Sequence, residues 1–303
     1  MALDRQMSGR DQASALREMV LSSGGGRSKF QGLRSIAVVS GKGGVGKSNL
    51  SVNLALAMGQ MGVRVMLMDA DMGLANADLL LGVVPKHHLG HVIGGQMGLE
   101  DILLSVDQGV SLIPGGAGFS DLADLDEQSQ AMLIEKFSAL EGRAEVLLVD
   151  TGAGIHRNVI SFAAAADEVL LLTTTEPTAI RDAYGVLKSL VVGLSWKPKV
   201  SLVVNMAMSD DEAFSVADRI RLAAGQFLDL NVNYLGYVLW DQRVMDSVRR
   251  RRPFVLQSPD SPASSCVKVI ARRLLKVDQE DVPGGRGLKA FMLRLGKRMR
   301  LKG

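Results

Sequence analysis

A chain of 303 residues with 47% hydrophobic side chains can bury one large α/β core with appendages, and no second composition regime is visible along it. No uninterrupted apolar stretch reaches the ~18 residues of a membrane-spanning helix, residues 1–5 lack the apolar centre of a secretory leader, and Cys266 alone forms no internal disulfide, so a cytoplasmic protein is expected. The net charge of +3 belongs to the tail: residues 286–303 hold seven Lys/Arg and no acid, leaving 28 basic against 32 acidic residues elsewhere, which argues against broad nucleic-acid binding.

In chain order, residues 1–32 form an arm carrying Asp11-Gln12-Ala13-Ser14-Ala15-Leu16-Arg17, too short to fold alone and set off by the linker Ser22-Ser23-Gly24-Gly25-Gly26. An apolar run at 36–39 predicts a strand. The residues that follow, Gly41-Lys42-Gly43-Gly44-Val45-Gly46-Lys47-Ser48, open into helical spacing over 49–61. Strand, glycine turn and helix start together make a P-loop, in which N–H groups of Gly43, Gly44, Val45, Gly46, Lys47, Ser48 and Asn49 face phosphate oxygens at the positive end of a helix dipole. Lys47 reaches the β/γ-phosphates in such a loop, and the Ser48 hydroxyl ligates Mg²⁺.

Further apolar runs at 63–68, 110–113, 146–149, 169–172, 200–204 and 234–239 alternate with helical patterns, which predicts a doubly wound, mostly parallel sheet with flanking helices. Ligands of such sheets bind beyond the carboxyl ends of the strands. The second run ends in Asp69-Ala70-Asp71-Met72-Gly73-Leu74-Ala75-Asn76, whose two carboxylates share one side of a fraying strand: one can organise a Mg²⁺ shell while the other orients an attacking water. Asp150-Thr151-Gly152-Ala153-Gly154 follows the run at 146–149, and Asp150 is expected to hold Mg²⁺ through water. Asn205 ends the run at 200–204, where an amide that donates and accepts together suits adenine. Asp241 adds a further polar group near the nucleoside. No guanine-reading Asn-Lys-x-Asp motif is present, so ATP is expected.

After Pro283-Gly284-Gly285 the tail places Leu288, Phe291, Met292, Leu295 and Met299 on one helical face and basic residues on the other. Such a helix reads as an interfacial membrane anchor for anionic lipid, marginal for one tail and stronger for two tails on a dimer. The same pattern also fits a helix docked on its own domain. Three divisions result: arm and linker at 1–32, ATPase domain at 33–276, and linker with amphipathic helix at 277–303. His87, His88 and His91 lie beside Pro85 and Gly90 in what reads as a surface loop, with no partner ligand to complete a zinc site. The Arg249-Arg250-Arg251-Arg252 run before Pro253 reads as cations at a helix C-terminus.

Lys42 is a second cation in the first turn of the P-loop. Lys-Gly-Gly-Val-Gly-Lys-Ser resembles the deviant P-loop of the MinD/ParA (SIMIBI-type) ATPases, in which the early lysine crosses a dimer interface to the partner's nucleotide. By that resemblance Asp71 in switch I positions the water, Asp69 is a metal-shell or structural partner, Asp150 opens switch II, and Asn205 reads adenine. Asp-Gln-Ala-x-x-Leu-Arg in the arm resembles the activator motif of the FlhG family, also called FleN or YlxH, which regulates flagellar number and placement. The resemblance implies an ATP-dependent homodimer, an FlhF-type GTPase engaged by Asp11, Gln12, Ala13, Leu16 and Arg17, and flagellar C-ring proteins or a flagellar transcription activator as further partners. It also implies a peripheral location on the inner face of the cell membrane, with the cell pole as one site. A division-site MinD and a ParA-like DNA-partition ATPase are the alternatives, and nucleic acid is not an expected partner of the first reading.

Overall fold

The computed structural model describes residues 32–71, 76–115, 127–276 and 285–300. The arm motif, residues 72–75 of the acidic loop and the linker 277–284 lie outside them. The described chain is built on one sheet of eight strands: β1 (Arg34–Ser40), β2 (Val65–Ala70), β3 (Leu104–Ser105), β4 (Val110–Ile113), β5 (Val146–Ala153), β6 (Glu168–Thr174), β7 (Val200–Ala207) and β8 (Val232–Leu239). Their spatial order is β3-β4-β2-β5-β1-β6-β7-β8. Every neighbouring pair is parallel except β3 with β4. Each apolar run of the sequence lies within one of these strands except that at 63–68, which starts two residues before β2. The two-residue β3 carries no such run and escapes a pattern search.

The strands read as near-continuous Val/Ile/Leu because helices cover both faces. Helix α1 (Lys47–Gln60) lies on β1, β2 and β5, and α11 (Pro262–Lys276) lies beside it and on β8. The opposite face carries α6 (Arg157–Ala165), α7 (Pro177–Lys188) and α8 (Asp210–Leu228), with α5 (Glu127–Ser138) and α12 (Leu288–Arg300) joined to the same core cluster. Five short or intermediate helices complete the described chain: α2 (Ala77–Leu81), α3 (Leu89–Ile93), α4 (Leu99–Ile102), α9 (Gln242–Arg249) and α10 (Phe254–Gln257). His88 and His91 serve α3 rather than a metal: the Nδ1 of each accepts a backbone N–H at the helix start, from Gly90 and His88 respectively.

The amphipathic tail helix differs from the expectation of an apolar face offered to lipid. Leu288, Phe291, Met292, Leu295 and Met299 are each 3% exposed or less, packed with α5 and α6 in the domain core. The physical reason is that five large apolar side chains bury more area against the groove between those helices than water would leave them, at roughly 25 cal/mol per Å². Polar contacts fix the register. Glu141 accepts from the N–H groups of Leu288 and Lys289 at the helix start, at 3.1–3.2 Å. Arg294 donates to Ala165 O, Gly285 O and the Asp167 carboxylate, each at 2.7 Å, and Arg157 donates to Met299 O. Helix α12 therefore runs antiparallel to α6. The boundary drawn at residue 276 marks a linker, beyond which the chain rejoins the core.

Between β1 and β6, Arg34 and Glu168 form an ion pair with both side chains 5% exposed or less. Ser201 Oγ donates to the same carboxylate at 2.6 Å and Leu274 O accepts from Arg34 at 2.7 Å. Removing one member of such a pair strands the other charge. Arg34→Met is expected to cost about 3–5 kcal/mol in urea unfolding, and the Arg34→Met/Glu168→Leu double variant to recover most of it; a single variant as stable as the parent would show that the pair is dispensable.

Candidate functional site

Strands β2, β5 and β1 are consecutive in the sheet, so the chemistry-bearing segments at their carboxyl ends meet. The P-loop leaves β1 and enters α1 through glycines, two of which are held against the protein. A Cβ on Gly41 would lie 2.1 Å from the Asp182 backbone in α7, and one on Gly46, at φ +87°, would lie 2.4 Å from the Asn205 amide nitrogen. At Gly43 and Gly44 the reverse holds: a Cβ would meet nothing within 4 Å. The loop is thus tight on its protein side and open on the outer side, where the first N–H groups of α1 have no partner within the helix.

Lys47 lies under this loop with its ammonium 2.9 Å from Asp150 Oδ1, at 7% and 0% side-chain exposure. Ser51, one turn further along α1, donates to the same oxygen at 3.0 Å. Asp150 Oδ2 is buried with no hydrogen-bond partner. A buried, unsatisfied carboxylate oxygen beside an open anion cradle fits a Mg²⁺–triphosphate, whose dication satisfies the first and whose phosphates fill the second.

Asp69 faces Asp150 across the β2–β5 register. Its carboxylate accepts from the N–H groups of Asp71, Asn76 and Ala77 at 3.0–3.2 Å, which ties down both ends of the acidic loop. Three backbone bonds make Asp69 the organiser of that loop. Asp71 approaches switch II: its Oδ1 lies 3.7 Å from where a Gly152 Cβ would stand. Lys42 does not point into its own cradle. Its ammonium donates to Glu176 Oε1 at 2.7 Å and Thr178 Oγ1 at 3.0 Å, and the side chain is 37% exposed. That hydrogen bond holds the Glu176 carboxyl below its usual range.

Asn205 Nδ2 donates to Val45 O at 2.8 Å, joining the end of β7 to the P-loop. Beside it opens a small, mostly apolar cleft of about 80 Å³, walled by Met206, Leu239, Trp240 and Val244. Its shape and lining suit a flat base. Asp241 borders it and caps α9 through Arg243 N at 3.0 Å. Sequence reasoning missed Glu176, Thr178 and Ser51. Ser51 sits four residues after Lys47 on one helix face, and Glu176-Pro177-Thr178 carries a helix-start signature at the same sheet edge, so a signal existed for each.

The fold and this site define a P-loop ATPase of the MinD/ParA type. The profile of the CobQ/CobB/MinD/ParA nucleotide binding domain matches residues 36–254. The antiactivator FleN of Pseudomonas aeruginosa is 42% identical over 86% of this chain and 92% of its own length. The flagellum site-determining protein YlxH of Helicobacter pylori is 34% identical over 90% of this chain and 91% of its own. The structure of the septum site-determining protein MinD of Pyrococcus horikoshii complexed with Mg-ADP superposes with a TM-score of 0.65 at 25% identity, covering 81% of this chain and 97% of that one. The chain belongs to the FlhG/FleN/YlxH family of MinD-like ATPases. It is an ATP hydrolase that works with Mg²⁺.

Burial, and after it the Asp150 charge, push the Asp69 carboxyl up from 3.8 to about 6. Because the folded value lies above the unfolded one, folding takes up a proton between them: stability falls as pH rises from ~4 to ~6, and the full cost stands above that. Asp69→Asn removes this slope. Relative to the parent, its unfolding free energy in nucleotide-free urea titrations is expected to improve by up to about 3 kcal/mol between pH 4 and pH 7; a pH-independent difference would refute the assignment.

Proposed function

We propose that this ATPase is a switch that dimerises on ATP, binds the membrane and regulates flagellar number or placement, stimulating an FlhF-type GTPase through its arm. The observation that carries the switch reading is the position of Lys42. It stands half exposed at the rim of a cradle that already has its own lysine, so its cation is free to serve a nucleotide held by a second copy once the Glu176 contact is exchanged. The flagellar assignment is supported by the similarity to FleN and YlxH over nearly their whole lengths.

In this reading Lys47 and the N–H groups of residues 43–49 hold the phosphates, and Asn205 with the apolar cleft holds the base. Ser48 and Asp150 would hold Mg²⁺, with Asp69 shaping the loop behind it; the bound ion would supply positive charge beside the transferred phosphoryl group. Asp71 orients the attacking water. Lys42 from the opposite subunit adds positive charge where the leaving phosphate gains negative charge. Loss of the terminal phosphate releases the glycine-bearing segment after Asp150. Hydrolysis is a slow reset rather than the product. Membrane binding follows release of α12, since Leu288, Phe291, Met292, Leu295 and Met299 contact lipid only when they leave the core.

Asp71→Ala is expected to keep ATP affinity, to lose hydrolysis by about 10²-fold or more, and to accumulate as a dimer that sediments with anionic vesicles. A variant that stays monomeric and vesicle-free with ATP would count against the role given to Asp71. Lys47→Ala is expected to lose nucleotide response and recruitment together; undiminished ATP binding by titration calorimetry would contradict this. For the arm, a synthetic peptide of residues 1–21 should raise GTP hydrolysis by an FlhF-type GTPase, and an Asp11→Ala/Gln12→Ala peptide should not. Equal rates with both peptides would remove the GTPase from the scheme and leave the ATP switch standing.

A further inference from the structure

We propose that Arg157 is the residue through which switch II holds the C-terminal helix in place and releases it, an inference that rests on reading α12 as detachable. The hydrogen bonds of α12 come from different parts of the molecule. Glu141 caps the start of the helix from a turn after α5. Arg294 reaches Ala165 O at the end of α6 and Asp167, whose other carboxylate oxygen accepts from Ser35 N on β1 at 2.8 Å. Both anchors lie just before the amino ends of β5 and β6, at the opposite edge of the sheet from the nucleotide site. The third anchor is different. Arg157 is the first residue of α6, three positions after Gly154, and its guanidinium donates to Met299 O in the last described turn of α12.

The connection from nucleotide site to helix is short and covalent on one side. Asp150 stands in β5, and Gly154, at φ +92°, donates to Ser40 O at the base of the P-loop at 2.8 Å. His156 precedes α6 with no side-chain cap of its own. A displacement of the segment 150–156 therefore acts first on Arg157, whereas Glu141 precedes β5 and the partners of Arg294 lie at the far end of α6 and before β6. The chemistry at the far end suits a latch. Carbonyls toward the end of a helix run short of N–H partners and carry the negative end of the dipole, so a guanidinium there supplies both a donor and a favourable charge. Lys297 and Arg298 on α12 are cations near the same end.

Release is directional in this arrangement. The end of α12 at Met299 comes free first and the start, held by Glu141, last. The apolar face then uncovers from the C-terminal side, beginning with Met299 and Leu295.

Hydrogen exchange on the full chain tests this. In the nucleotide-free parent, amides of the last turn of α12 are expected to be protected, and Mg²⁺ with a non-hydrolysable ATP analogue to speed their exchange by about tenfold or more. Arg157→Ala should show that faster exchange without nucleotide, with no further response to the analogue. Glu141→Ala should loosen the start of the helix and leave the analogue response at the end intact. Arg157→Lys, which keeps the cation and loses the planar fork, should give a smaller rise and carries the test if the alanine variant misfolds. Parent-level protection in nucleotide-free Arg157→Ala, or an analogue response as large as the parent's, would overturn the proposal. Anionic vesicles added to the same samples keep the two readings apart: the expected exchange pattern without sedimentation upholds the Arg157 latch and removes the membrane role.

Discussion

A lysine ammonium and a carboxylate buried together at the end of β5 set the terms for the rest of this site. Neither Lys47 nor Asp150 is stable there alone, because an unpaired charge in that setting costs several kcal/mol. Their pairing fixes the first turn of α1 against β5, and Ser51 adds a second tie from the same helix. The glycine loop between β1 and α1 is thereby held open in advance. The same pairing makes the site responsive: phosphates compete with Asp150 for one ammonium. Whatever draws Lys47 outward leaves Asp150 needing another cation.

Sheet order converts that local event into a shared one. Because β2, β5 and β1 are neighbours, the acidic loop, switch II and the P-loop form one continuous edge. Asp69 belongs to this edge without facing solvent. Its three backbone bonds reach Asp71, Asn76 and Ala77 from a carboxyl whose ionisation is disfavoured by burial and by Asp150. On the far side, Asn205 is bonded to the P-loop carbonyl of Val45 and stands against Gly46, so the end of β7 and the P-loop are mechanically one unit.

The strands were legible because residues buried on both faces leave uninterrupted apolar runs, and the P-loop because its glycines, Gly41 and Gly46 required by close contacts, stand in a fixed pattern before a lysine. The side chains around the nucleotide were legible by type and less so by current partner. Lys42 is identifiable from its place in the loop, but its bond to Glu176 and Thr178 spans more than 130 residues and depends on how β6 leads into α7. Asp69 reads equally as ligand or organiser until its backbone partners are known. The tail shows the main limit: an apolar stripe with a basic back has the same spacing whether it meets lipid or protein. Its destination is decided by α5 and α6, whose complementary groove has no local signature in residues 288–300.

That groove has a practical meaning for anyone shortening the chain. Trimming the last eighteen residues looks, from sequence, like the removal of a detachable tail. In the folded protein it also strips cover from the side of the core formed by α5 and α6. A tail-less variant is thus a hydrophobically exposed protein as well as an anchorless one. Self-association in such a variant would mimic nucleotide-driven assembly, with sticky surface in place of a signal.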